Sequence, residues 1–159
     1  MDGQKKKSKK RSATNSSRPL EDVVFFIDRS LGRKAVAEAL RATGAMVEVH
    51  DDHLPQGAKD EEWLAYVGAR HWVALTQDDR IRFHSHERLA LLQASVRAFV
   101  LTAKGLRGED NGAIIVRALP AIRRLLRKHP GPFIASINRG AGVAMYDLPE
   151  HKKQRHKKT

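Results

Sequence analysis

Residues 23–30 read Val-Val-Phe-Phe-Ile-Asp-Arg-Ser: five uninterrupted β-branched and aromatic residues, then a carboxylate. Such a run suits a strand covered on both faces, as in the middle of a parallel sheet. Ser30 offers an N-cap to a helical stretch from Leu31 to Ala42, where Val36, Ala39 and Leu40 share one face. Asp28 then ends a buried strand just before a helix start, where open α/β folds place their ligands. Position alone serves a functional role and a solvated or capping role about equally.

Downstream, the same alternation repeats. Gly44 closes the first helix, and Ala45 to His50 alternates as a second strand, ending on His50-Asp51-Asp52-His53. After a Pro55–Gly57 loop, Asp60, Glu61 and Glu62 precede Trp63, Leu64, Tyr66 and Val67. Acids in a first turn are favoured by the helix dipole, by about 0.3–1 kcal/mol each, so a structural account of these three is available. His71 to Leu75 forms a third strand, halted by Thr76-Gln77-Asp78-Asp79. A short helix with Arg80, Arg82, His84, His86 and Arg88 leads to a fourth strand, Ser95 to Leu101. The longest helix runs from Asp110 to Lys128, with a kink expected at Pro120. Pro132 to Ile137 is a fifth strand, Arg139 to Ala144 a turn, and Val143 to Tyr146 a short hairpin partner. Alternating strands and helices predict an α/β sandwich with a mostly parallel central sheet.

The chain has 159 residues, 41% of them hydrophobic, enough for one domain with a real core. With no cysteine, disulfides and thiolate metal sites are excluded and a reducing compartment is allowed. No apolar run approaches the roughly 20 residues that span a bilayer, and no apolar segment follows the basic N-terminus as in a signal peptide. A cytoplasmic protein is expected. The net charge of +12 is unevenly placed. Residues 1–18 hold seven Lys/Arg against one Asp, residues 151–159 hold five, and 19–150 keep only +1. Both basic tails lack apolar periodicity and are expected to be disordered. They suit either sequence-independent attraction to phosphate backbones or solubility.

Three strand ends carry acids: Asp28, Asp51–Asp52 and Asp78–Asp79, with Asp60, Glu61 and Glu62 opening the intervening helix. A parallel sheet brings them to one rim, where crowded like charges need compensation by Arg/Lys or by a divalent cation. Hard oxygen ligands suit Mg²⁺ or Mn²⁺, which supports phosphodiester cleavage. Arg29, Arg80 and Arg82 stand beside the acids, to contact phosphate or to neutralise them. No P-loop is present, and the single Asp ends the first strand, where a receiver-type phosphoacceptor wants an acidic pair. His84 with His86, and His50 with His53, lack a third nitrogen ligand and read as surface or loop histidines.

Phe25–Gly32 (FFIDRSLG), His50–Leu64 (HDDHLPQGAKDEEWL) and Val73–Arg82 (VALTQDDRIR), in that order, resemble the PIN-like domain of VapC-type toxin ribonucleases. The resemblance runs from Val23 to Tyr146. It implies a three-layer sandwich over residues 21–147, between tails 1–20 and 148–159. It implies that Asp28 is the first metal ligand, Asp60 the helix acid and Asp78 the acid of the T-x-D motif. Thr76 then orients Asp78 or a metal-bound water beside the phosphate. Asp79, Asp52 and Glu62 are the candidates for a further ligand. The family further implies Mg²⁺- or Mn²⁺-dependent cleavage of RNA, restraint by an antitoxin protein, and homodimers in many members. Arg80 occupies a position where many relatives carry another acid. That departure keeps an alternative open, a catalytically weak PIN-like module that binds RNA or a protein partner.

Overall fold

The apolar run after Val23 becomes a strand with no exposed face. In the computed structural model, which describes residues 23–146, β1 (Val24–Ile27) lies between β2 (Met46–Val49) and β3 (Val73–Thr76), with Phe25, Phe26 and Ile27 buried. The sheet continues through β4 (Arg97–Leu101) and β5 (Phe133–Ile137) to β6 (Val143–Met145), in the order β2-β1-β3-β4-β5-β6. The first five strands are parallel, and β6 pairs antiparallel with β5.

Period-two alternation sends neighbouring β1 side chains into two separate cores. Phe25 and Ile27 pack with Val36 and Leu40 of α1 (Ala35–Arg41). Phe26 faces Trp63, Leu64 and Val67 of α2 (Asp60–Ala69), Ile81 of α3 (Arg80–Phe83) and Leu91 of α4 (Ser85–Ala94). α5 (Gly108–Lys128) adds Ile115 and Ile122 to the α1 side. The result is a three-layer α/β sandwich with a mostly parallel sheet, as the alternation of elements predicts. Glycine permits the closest helix approaches: a Cβ on Gly68 of α2 would collide with the Ala94 carbonyl oxygen.

Several local expectations change. Ser30 does not cap α1, which starts at Ala35 after Lys34. The Ser30 hydroxyl is engaged with Asp28 and Thr76, and residues Arg29–Leu31 form a 3-10 turn capped by Asp28. Gly44 takes a positive φ of 93°, two residues past the α1 C-cap at Ala42. The short helix after β3 is two helices, interrupted where His84 adopts extended backbone. α5 begins at Gly108 and remains helical through Pro120, whose exposed position leaves the lost hydrogen bond on the solvent side. Among the described residues no helix is long and apolar enough to cross a membrane. The expected tails, 1–20 and 148–159, lie outside the described residues.

Candidate active site

Parallel pairing of β1 with β2 and β3 brings their three acid-bearing ends to one sheet edge. From β1 the chain passes to β2 on one side, while β3 lies on the other, so a crevice opens between the β1 and β3 ends. A cleft of about 230 Å³ lies there, lined by Asp28, Asp60 and Asp78 together with Arg29, Arg80 and Trp63. Three acids separated by up to 50 positions in sequence thus share one wall.

Asp28 is 8% exposed and its Oδ2 is tightly held. The hydroxyls of Ser30 and Thr76 each donate to it over 2.7 Å. Ser30 Oγ accepts the Gln77 amide at 2.8 Å, and Thr76 Oγ1 accepts the Asp78 amide at 3.1 Å. These bonds staple the end of β1 to the turn after β3 and fix the carboxylate's direction. Thr76 is 1% exposed, so its hydroxyl serves Asp28 and the Asp78 backbone from beneath the surface. Asp60 begins α2, where its Oδ1 accepts the indole N–H of Trp63 at 2.9 Å.

Asp78 is gripped by a guanidinium fork. Arg80 Nε lies 3.0 Å from Oδ1 and 3.1 Å from Oδ2, and Nη2 lies 2.6 Å from Oδ2. The Arg80 hydrogen bonds hold the Asp78 carboxyl below its ordinary value, and Asp78 in turn raises the guanidinium's.

The remaining sequence candidates separate from this wall. Asp52 is exposed and does not line the cleft. Glu62 caps its own helix, accepting the Lys59 amide at 2.7 Å. Asp79 sits outside the cleft lining with Oδ1 buried and without a hydrogen-bond partner among the described residues; its Oδ2 lies 4.0 Å from Lys104 Nζ. Asp51 pairs with Arg29 at 3.4 Å and Arg33 at 3.3 Å, neutralised by neighbours on the same rim. Arg29 is still half-exposed at the cleft mouth. Arg82 instead stacks its guanidinium 3.7 Å over the Tyr146 ring.

Two groups escaped the sequence reading. His50 is not a surface histidine: it is 2% exposed, tilted against Phe26, and lines the cleft from a 3-10 turn off β2. Glu87, hidden in a basic run, lies in the first turn of α4 beside the Asp60 carboxyl. Burial first, then Asp60, push the Glu87 carboxyl up to about 7. Its Oε1 is buried with no hydrogen-bond partner among the described residues. An acid in the first turn of the second helix after a T-x-D turn was the available signal, obscured by its basic neighbours.

The sequence of residues 23–103 matches the family model described as "PIN like domain", a segment that contains every residue of the cleft wall. The chain belongs to the PIN-like domain family. A Mycobacterium tuberculosis protein named "Putative ribonuclease VapC45" is 32% identical over 118 residues, which cover 72% of this chain and 85% of that one. This PIN-like domain is therefore of the VapC type. No solved structure matches it. In this PIN-like domain, α5, β5 and β6 lie beyond the matched segment: β5 and β6 extend the sheet away from β1, α5 packs against α1, and none of them contributes to the cleft wall.

Proposed function

We propose that this PIN-like domain is a divalent-metal-dependent endoribonuclease, the toxin of a toxin–antitoxin pair, acting on RNA. One observation carries the reading: Asp28, Asp60 and Asp78, delivered by three different elements, line a single cleft at the switch point of the sheet. The relative's name, a ribonuclease, points the same way.

The donor chemistry fits Mg²⁺ or Mn²⁺. The cleft offers hard carboxylate oxygens, and Glu87, whose Oε1 lies 3.3 Å from His84 Nδ1, adds a further acid beside Asp60. Among the described residues, however, no three His, Asp or Glu side chains already form a cation cage. Both Asp78 oxygens are taken by Arg80, so the fit requires that fork to open. Asp28, Asp60 and Asp78 would then hold the ion, with Glu87 behind Asp60. When bound, such an ion supplies an activated water and stabilises the leaving oxygen of a phosphodiester.

The chain's own residues set the geometry. Ser30 and Thr76 keep Asp28 Oδ2 pointed, and Trp63 holds Asp60. Arg29, at the mouth, meets an incoming phosphate. The fork on Asp78 also favours the second reading, an RNA-binding module without cleavage.

The test is cleavage of single-stranded RNA with and without Mn²⁺ by wild type, Asp28→Asn, Asp78→Asn and, as a control outside the cleft lining, Asp110→Asn. Expected is metal-dependent cleavage that falls at least about 100-fold in the first two variants and little in the third. Normal cleavage by Asp28→Asn sinks the enzyme reading. Binding without cleavage by wild type selects the module.

A further inference from the structure

Arg80 stands where a cation at Asp78 would have to stand. Its fork occupies both Asp78 oxygens, and Asp60 and Glu87 add to the attraction. Yet the Arg80 side chain is 59% exposed, so it rotates into water without unpacking a core. Asp78 does not depend on the guanidinium for its place: Thr76 Oγ1 holds its amide, and its Oδ1 also accepts the Arg80 amide at 3.0 Å.

We propose that Arg80 is a displaceable counter-cation, which neutralises Asp78 in competition with a divalent ion and yields both oxygens to it. The inference rests on the carboxylate metal site proposed above and adds a positioning role for Arg80. A guanidinium and a divalent ion repel, and two oxygens of one carboxylate cannot serve both in full. Once released, Arg80 remains at the cleft mouth with five free donors suited to a phosphate. Ion binding thereby converts an acid-neutralising residue into a substrate-binding one. The structural alternative is that Arg80 is a fixed ion pair that simply holds the turn after β3 in shape.

The full chain is titrated with Mn²⁺ by calorimetry, with thermal melts at each Mn²⁺ concentration as a second readout. Arg80→Gln should bind Mn²⁺ roughly tenfold more tightly than wild type, the loss of one charge-assisted fork. Arg80→Lys, with its charge but no fork, should fall between. Arg82→Gln, which removes an equal charge from the Tyr146 stack, should match wild type. Wild type that binds Mn²⁺ with Arg80→Gln binding no tighter overturns the proposal and leaves the metal site standing. Equal tightening in Arg82→Gln also overturns it, by reducing the effect to net charge. Absence of Mn²⁺ binding in both wild type and Arg80→Gln removes the metal site and the proposal together.

Discussion

Glu87 shows how one side chain links the cleft to the fold's stability. Its carboxyl is lifted from 4.5 to about 7 by burial and by the Asp60 carboxyl, with Asp78 adding to the rise and Arg80 opposing it. Since the folded protein binds this proton more tightly than the unfolded chain, the contribution is fully present below about pH 4.5 and is lost as pH rises through about 7. Wild type should therefore lose roughly 2–4 °C of Tm across that window relative to Glu87→Gln, which keeps the shape but carries no titrating proton. Parallel Tm–pH profiles for the two proteins would rule this out. Asp78 acts in the opposite sense at lower pH. Its lowered carboxyl stabilises the fold above 3.8, and that stabilisation disappears as pH falls further. The two acids shift in opposite directions because one has a guanidinium on it and the other is buried with a carboxyl beside it.

At the scale of elements, the cleft depends on how closely α2 and α4 approach. Asp60 opens α2 and Glu87 lies in the first turn of α4, so the distance between these helices sets the distance between the two acids. Gly68 permits that approach, since a methyl group there would strike the Ala94 carbonyl, a backbone atom with little room to give. Gly68→Ala should cost about 1–3 kcal/mol by overpacking, despite alanine's better helix propensity. A chemical-denaturation midpoint equal to wild type would show that the helices separate freely. Ser30 teaches a related lesson. A serine after a strand and before a helical pattern is a good N-cap by local rules. Here a 3-10 turn intervenes, and the hydroxyl bridges two strand ends 46 residues apart in sequence.

For the whole molecule, charge is segregated along the sequence: residues 19–150 carry a net charge of only +1, and the rest of the +12 lies in residues 1–18 and 151–159. Residues 1–18 carry seven Lys/Arg outside the described region. If the chain binds RNA, deleting them should weaken binding and flatten its salt dependence, because fewer counterions are released. The slope of log K against log salt checks this; an unchanged slope would remove the N-terminal tail from the RNA surface. Cleavage chemistry should survive the deletion, since every residue of the cleft wall lies between positions 28 and 80.

Local pattern was enough for the sandwich. An uninterrupted apolar strand such as Val23–Ile27 is stable only when covered on both faces, and strands alternating with helices pair in parallel. The acids at strand ends were equally legible, since a charge that stops a buried run has to stand at the rim. Which acids line the cleft was decided by tertiary structure alone. Asp28, Asp60 and Asp78 line one cleft because β1 and β3 are neighbours and α2 begins beside them, whereas Glu62 folds back on Lys59 and Asp51 on Arg29 and Arg33. Glu87 joins Asp60, and Arg80 closes on Asp78, through contacts made by helices that local periodicity describes only as one short basic segment. Sequence spacing specifies which face of an element a residue occupies; the distance between two elements is a property of packing, and ion pairing follows distance.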